Sequence, residues 1–304
     1  MTPITCPNCH YTRSPEDSAA PADVCPRCQK PYAQWDMSAW SPKKATYQPP
    51  SAFVNRSPVL EAAQRQLTIA MGLLIIIGLI GWSQQGTGVM PSDIHPMVRK
   101  EPAQGPTDRK PFEFEYRGNT YEVKPVHSYS LSGLVVSHND IDSMWDAYHT
   151  ADSVDTKDLC VIWGGNTMVD TFGRVNFSSG SWTCYASWGP GVDMNMDELS
   201  NNHLITDRPE IRALIAKTRI GDQIHLEGML VNYRQPGKTG WRNSSTTRTD
   251  TGNTACEVVF VEQMQILERG TPLWYALTTL ARWLVLLGLV AKMALFVVQL
   301  RRDS

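Results

Sequence analysis

The sequence predicts a multidomain chain: a small cysteine-organised unit at the N-terminus, two membrane-spanning helices, and between them an α+β domain rich in antiparallel strands. Three observations predict this. Two Cys-Pro-x-Cys pairs stand within the first 30 residues, two long apolar runs lie near 66–85 and 272–300, and the segment between them alternates apolar and polar residues with the period of strands. The divisions that follow are 1–32 for the cysteine unit, 33–65 for a flexible linker, 66–85 for the first span, 86–110 for a second linker, 111–268 for the strand-rich domain and 272–300 for the second span.

The cysteine pairs are Cys6-Pro7-Asn8-Cys9 and Cys25-Pro26-Arg27-Cys28, with 15 residues between them. Each turn brings two thiolates to one point, and two such turns complete a tetrahedral shell for Zn²⁺. Four thiolate ligands leave no position for an activated water, so the metal they imply is structural. These residues resemble a zinc ribbon over about the first 30 positions.

From Gln66 to Ser92 the chain is uncharged, and Leu67 to Trp82 is almost wholly apolar. A bilayer core of about 30 Å needs roughly 20 helical residues. The run lies too far from the N-terminus to read as a cleaved signal. Leu273 to Leu300 reads in the same way, interrupted only by Arg282 and Lys292. The two charges lie toward opposite ends of that span, so both are expected to snorkel to the interfaces; the alternative is an intramembrane contact with a partner. Two spans put both termini on one side. Arg301 and Arg302 follow the second span directly, whereas only Arg269 lies close before it, which favours cytoplasmic termini and an extracytoplasmic central domain. Metal-holding thiolates suit the reducing side. A net charge of −2 points to no polyanionic partner, and Arg13, Arg27 and Lys30 are balanced in the cysteine unit by Glu16, Asp17 and Asp23, so nucleic acid is not an expected partner. The mean hydropathy of −0.29 reflects the polar sequence that dilutes the two spans.

The central domain is expected to open with a hairpin, Phe112–Tyr116 and Thr120–Val123 about Arg117-Gly118-Asn119, followed by a strand at 130–136. A helix over Asp140–Thr150, a strand at 159–163, a turn at Ser178-Ser179-Gly180, a helix from Asp207 to about Lys217 and two long strands, 222–233 and 255–267, complete it. No internal repeat is evident. The turn at Gly221, the alternating strand after it and the mid-strand Gly228 resemble an OB-type small barrel, in which glycine permits a sharp bend. The stretches 179–184, 199–204 and 248–253 resemble segments of uncharacterised bacterial membrane proteins, a resemblance that implies a bacterial inner membrane as the location and implies no activity.

Chemistry-bearing residues in this domain are sparse. Asp142, Asp146 and His149 fall on one face of the expected helix, as a metal site or acid/base pair requires, although acids also favour helix starts for structural reasons. His203 and His225 stand isolated. Cys160, Cys184 and Cys256 lie in apolar or aromatic strands, where a buried or bridged thiol is the ordinary state; the pair favoured for a disulfide is Cys160–Cys184. Trp241, Arg242 and Arg248 sit in a polar loop suited to an anionic or partner contact, with Trp241 the best candidate for an exposed aromatic among Trp145, Trp163, Trp182, Trp188 and Trp241. No nucleophile elbow, HExxH or phosphate loop occurs. The chain therefore reads as a membrane-anchored binding or scaffold protein whose partners are the bilayer and another protein; the alternative is a membrane-anchored metal-dependent hydrolase using the Asp142/Asp146/His149 face.

Overall fold

The computed structural model describes residues 4–32, 57–141, 153–170, 172–181, 183–250 and 255–303. It divides into two units, residues 1–56 and residues 57–302, each described by itself.

The first unit is built from two tight knuckles and a short 3-10 helix, Pro15–Ala19. Ser14 and Asp17 form a reciprocal cap on that helix, with the Ser14 N–H donating to Asp17 Oδ2 at 2.9 Å. Arg13 ties the insert down: its guanidinium donates to the carbonyls of Pro21 at 2.8 Å, Asp17 at 3.0 Å and Val24 at 3.4 Å, and to that of Ala20. An arginine spent on backbone acceptors is unavailable to an outside anion.

In the second unit two helices flank the strands, α1 (Pro58–Ser83) and α3 (Pro272–Asp303). Both are long and apolar enough to cross a membrane. Ser57 and Pro58 start α1 in the way helices favour, with proline at the first position. Small residues let the two helices approach: a Cβ on Gly81 would lie 2.7 Å from Thr278 Oγ1, and one on Gly288 would lie 2.8 Å from Met71 Cγ. Gln64 Nε2 donates to Gln299 Oε1 at 3.2 Å, and Lys292 Nζ donates to Thr68 Oγ1 at 2.9 Å. Lys292 thus has a partner on the neighbouring helix instead of only an interface to reach, because the small-residue seam brings Thr68 beneath it. Arg282 is exposed.

The strands are β1 (Ala103–Gly105), β2 (Phe112–Tyr116), β3 (Asn119–Asp140), β4 (Lys157–Ile162), β5 (Asn176–Ser179), β6 (Cys184–Ser187), β7 (Leu199–Ile205), β8 (Gln223–Arg234), β9 (Trp241–Arg242) and β10 (Glu257–Glu268), with helix α2 (Pro209–Ala216) between β7 and β8. β5 and β6 pair only with each other. In the larger sheet, β3 pairs antiparallel with β4, β4 with β7 and β10 with β8, and β10 runs parallel to β7. β3 also pairs with β8 along twelve register positions, so β3, β4, β7, β10 and β8 follow one another around a cycle of pairings. β2 folds back on β3 through Arg117 and Gly118, both at positive φ (51° and 77°), the geometry a two-residue hairpin turn needs.

Period-two alternation gives the cycle two apolar faces. One carries Leu131, Leu159, Val161, Leu204, Leu226, Leu230 and Val259, packed against Ile211 and Ile215 of α2. The other carries Met229, Val231, Val258 and Phe260 under Phe114, Tyr121 and Val123 of the hairpin, with Phe112 and Phe114 edge-on to Phe260. Cys160 and Cys184 are joined by a disulfide, Cα–Cα 5.9 Å, which fastens β6 to β4.

Three expectations change. The stretch 86–110 is not a loose tether. Ile94 and Val98 are buried, the Gln223 side chain accepts from His95 N–H and donates to Asp93 O, and β1 adds to β3. Its Pro and Gly residues shape tight 3-10 turns (Pro91–Asp93 and Pro96–Arg99), and its few apolar side chains find the core. Asp140 belongs to the end of β3, not to the expected helix, and pairs with the buried Lys157 of β4 at 2.7 Å, since β3 continues unbroken from the hairpin to that point. Residues 142–150, with Asp142, Asp146 and His149, lie outside the described residues, as do Trp145 and Trp182. The linker before the first span ends earlier than expected, because α1 already begins at Pro58.

Asp222, fully buried at the start of β8, joins the strands to the helices. It accepts from Arg219 N–H at 2.9 Å, Gly270 N–H at 3.1 Å and the Arg269 guanidinium at 2.8 Å. Nearby, the Gly86 N–H donates to Thr271 Oγ1 at 2.9 Å and the Tyr275 hydroxyl to Ile220 O at 3.0 Å. These contacts hold the ends of α1 and α3 against one edge of the sheet.

Candidate functional site

The four N-terminal cysteines converge. In the first knuckle the Cys6 N–H donates to Tyr11 O at 2.8 Å and the His10 N–H to Cys6 O at 2.9 Å; in the second, Cys25 N–H donates to Lys30 O at 3.0 Å and Gln29 N–H to Cys25 O at 2.8 Å. His10 and Gln29 both take left-handed backbone, φ 55° and 58°, and the pairs Thr5–Thr12 and Val24–Pro31 bridge the two turns. Every one of these positions recurs after 19 residues, so the knuckles are structural copies. That repeat is nearly invisible in sequence, because outside Cys-Pro-x-Cys the backbone dictates it and the side chains do not.

Cys6 Sγ lies 3.6 Å from Cys28 Sγ and Cys9 Sγ 3.6 Å from Cys25 Sγ, and all four sulfurs fall within 4.8 Å of one another. Sulfurs about 2.3 Å from a tetrahedral Zn²⁺ would stand about 3.8 Å apart, so the donor set fits a thiolate-bound metal ion in both chemistry and spacing. The Lys30 N–H, then the Asn8 side chain, pull the Cys28 thiol down to about 6, whereas Cys9, despite the Tyr11 N–H that lowers it, is pushed up to about 12 by burial and its sulfur neighbours. Thiols this close compete for negative charge, and a divalent cation at their centre cancels the conflict. Among the described residues no second cluster of three or more His, Cys, Asp or Glu ligand atoms comes this close.

Two buried polar clusters in the strand domain were not foreseen. In the first, His203 of β7 receives Asp158 of β4 on Nδ1 at 2.7 Å and Arg242 of β9 on Nε2 at 2.9 Å. Asn201 Nδ2 lies 3.4 Å from His203 Nε2 and 3.6 Å from Cys256 Sγ. Cys256 is therefore neither bridged nor in an apolar setting, and His203 is not isolated. In the second, on the opposite strand face, Tyr129, Ser200, Asn202 and Glu257 meet beneath Arg248, whose guanidinium lies 5.7 Å from the Trp163 ring. Both clusters gather residues from strands far apart in sequence, so spacing alone carries no trace of them; the one available signal was that β7, Leu199–Ile205, places three amides or imidazoles in a strand otherwise headed for the core.

Burial pushes the Glu257 carboxyl up to about 8. The folded state then holds a proton that the unfolded chain releases near pH 4.5, so Glu257 contributes stability that is fully present below that pH and is lost as pH rises to about 8. The unfolding midpoint of the wild-type strand domain in urea should fall between pH 5 and 8 relative to that of Glu257→Gln. Parallel pH profiles for the two proteins would contradict this.

Arg248 donates to Pro102 O at 2.9 Å, and Trp241 is half-buried with Lys124 Nζ 3.9 Å and the Arg234 guanidinium 5.2 Å from its ring centroid. Trp188 is the exposed tryptophan of the described strand domain. His225 is partly exposed and accepts or donates between Ser132 Oγ and Glu227. No protein-family model, curated protein or solved structure matches the chain.

Proposed function

We propose that the chain is a membrane-anchored binding protein with a structural zinc ribbon. Cys6, Cys9, Cys25 and Cys28 hold one Zn²⁺, α1 and α3 anchor the chain with both termini in the cytoplasm of a bacterium, and the cycle of β3, β4, β7, β10 and β8 is an OB-type small barrel outside the membrane that contacts a protein or ligand. One observation carries the reading: the duplicated knuckles supply four thiolates and no open coordination position, which suits a folding and docking module and offers nothing to an activated water. The five-strand cycle, with a single parallel pair and α2 packed on its core, supports the barrel assignment.

The test uses the full-length protein, cross-linked in membranes and purified in detergent through a tag on Ser304. A partner that co-purifies with the wild type and is lost from Cys25→Ser, at equal membrane abundance of the two proteins, is the expected result. An identical set of co-purifying proteins, or none, for both would refute ribbon-dependent binding. Placement is checked with a membrane-impermeant maleimide on whole cells, which should label Lys238→Cys and spare Arg301→Cys; the reverse pattern overturns the orientation.

A further inference from the structure

We propose that Cys256 is a nucleophilic thiol, served by His203 and Asp158, that reacts with small hydroperoxides. The proposal rests on the strand-domain cluster and not on the ribbon. Its parts stand on three strands and at the threshold of a fourth: Asp158 on β4, Asn201 and His203 on β7, Arg242 on β9, and Cys256 directly before β10. Strand-borne groups are held in place more firmly than loop-borne ones. The base is oriented from behind, since Asp158 Oδ1 lies 2.7 Å from His203 Nδ1. Asn201 Nδ2 touches both His203 Nε2 at 3.4 Å and Cys256 Sγ at 3.6 Å, which sets imidazole and thiol side by side as activation of a weak nucleophile requires.

The imidazole has two states. Arg242 can only donate, so at 2.9 Å it requires a lone pair on His203 Nε2, and the ring proton then sits on Nδ1 facing Asp158. Asp158 also favours a second proton: although burial opposes it, the carboxylate pushes His203 up to about 10. In that state Nε2 carries a proton and no longer accepts from Arg242, while Asn201 Nδ2, 3.4 Å from Nε2 and 3.6 Å from Cys256 Sγ, keeps the ring beside the thiol. Cys256, against the burial that raises its pKa, is pulled down by His203 first and then by Asn201 and Arg242. The charged groups around the thiol are Asp155 and Asp158 before and on β4, His203 on β7, Arg242 on β9 and Glu257 on β10, with the Tyr233 hydroxyl of β8 bonded to Asp155 at 3.1 Å.

The size and polarity of the co-reactant follow from the same residues. Cys256 is 4% exposed, which admits only a small electrophile. Asn201, also 4% exposed, turns its amide nitrogen to the sulfur while its Oδ1 has no hydrogen-bond partner among the described residues. A hydroperoxide O–H would supply that donor, and Arg242 would stabilise charge on the departing oxygen. In the step itself the thiolate attacks the terminal peroxide oxygen. An S–O bond forms, the O–O bond breaks, sulfur is oxidised to the sulfenic acid, and the alkoxide or hydroxide leaves with the proton from His203 Nε2.

The experiment treats the zinc-loaded full-length protein in detergent with hydrogen peroxide, traps sulfenic acid with dimedone and follows the Cys256 peptide by mass spectrometry. At pH 6.5 the wild type should form the adduct at least about tenfold faster than His203→Gln, and Asp158→Asn should fall between them. A measurement on the wild type alone guards against misfolded variants: oxidation of Cys256 by hydrogen peroxide, read as loss of the free thiol after denaturation, should already proceed at pH 6.5 and rise little toward pH 8.5. Cys256 left unmodified in the folded protein, or modified with the pH dependence of an ordinary thiol near 8.5, overturns the proposal.

Discussion

Chelation of the metal should unfold residues 4–32 and leave the strand domain folded. The purified protein is expected to carry one Zn²⁺ per chain and to lose it, together with the ordered structure of the N-terminal unit, in excess chelator or on substitution of any one of Cys6, Cys9, Cys25 and Cys28 by serine. The physical reason is size. The unit has an N-terminal 3-10 helix, two single bridges and, among its described residues, only Cys6 and Cys25 as buried apolar side chains, so no hydrophobic core exists to replace the metal. Structural zinc in such peptides is worth on the order of 10 kcal/mol near neutral pH, which exceeds anything the Arg13 brace can supply. Because ligation requires four deprotonated sulfurs, acidification should release the ion. The readouts are metal analysis and amide-proton spectra of the intact protein. Less than half an equivalent of zinc with all four thiols reduced would contradict the expectation, as would dispersed N-terminal amide signals in chelator. The unit's separateness from residues 57–302 makes the result local: the unfolding midpoint of the strand domain should not move.

Replacement of Gly228 by alanine should destabilise the strand domain by about 3 kcal/mol or more, a loss large enough to reduce the yield of folded protein. Gly228 sits in the middle of β8 opposite Val261, at a point where the register with β10 slips past Glu262. A Cβ there would fall 2.0 Å from Phe260 O and 3.2 Å from Glu262 N. Both neighbours are main-chain atoms of β10, which is itself paired to β7, so they cannot swing aside as a flexible side chain would. Gly240→Ala is the control: its Cβ would meet nothing within 4 Å, and its effect should stay within about 0.5 kcal/mol. Equal urea midpoints for the two variants would show that the bend at Gly228 is not required.

The sequence by itself determined every feature that depends on neighbours along the chain. The convergence of the four cysteines, which could hold a metal ion, was legible because a two-residue spacing suffices to bring Cys6 to Cys9 and Cys25 to Cys28. The two apolar helices were legible because length and lack of charge suffice for them. The Arg117-Gly118 hairpin, α2 and the long strands β8 and β10 were legible because turn chemistry and periodicity act over a few residues. Tertiary structure alone decided the rest. Residues 86–110 read as a tether because their Pro and Gly content describes local conformation, whereas Ile94 and Val98 are anchored by packing with Leu134 and Ile162, and Asp93 by Gln223, more than a hundred residues away. Lys292 was read as a snorkelling charge until helix pairing set Thr68 beside it. His203 reads as isolated, and Cys256 as a thiol of an apolar strand, for the same reason. Asp158, Asn201, His203, Arg242 and Cys256 meet only when β4, β7, β9 and β10 have found their registers, and those registers are set by burial of Leu159, Leu204 and Val259 on the opposite face, not by the polar residues themselves.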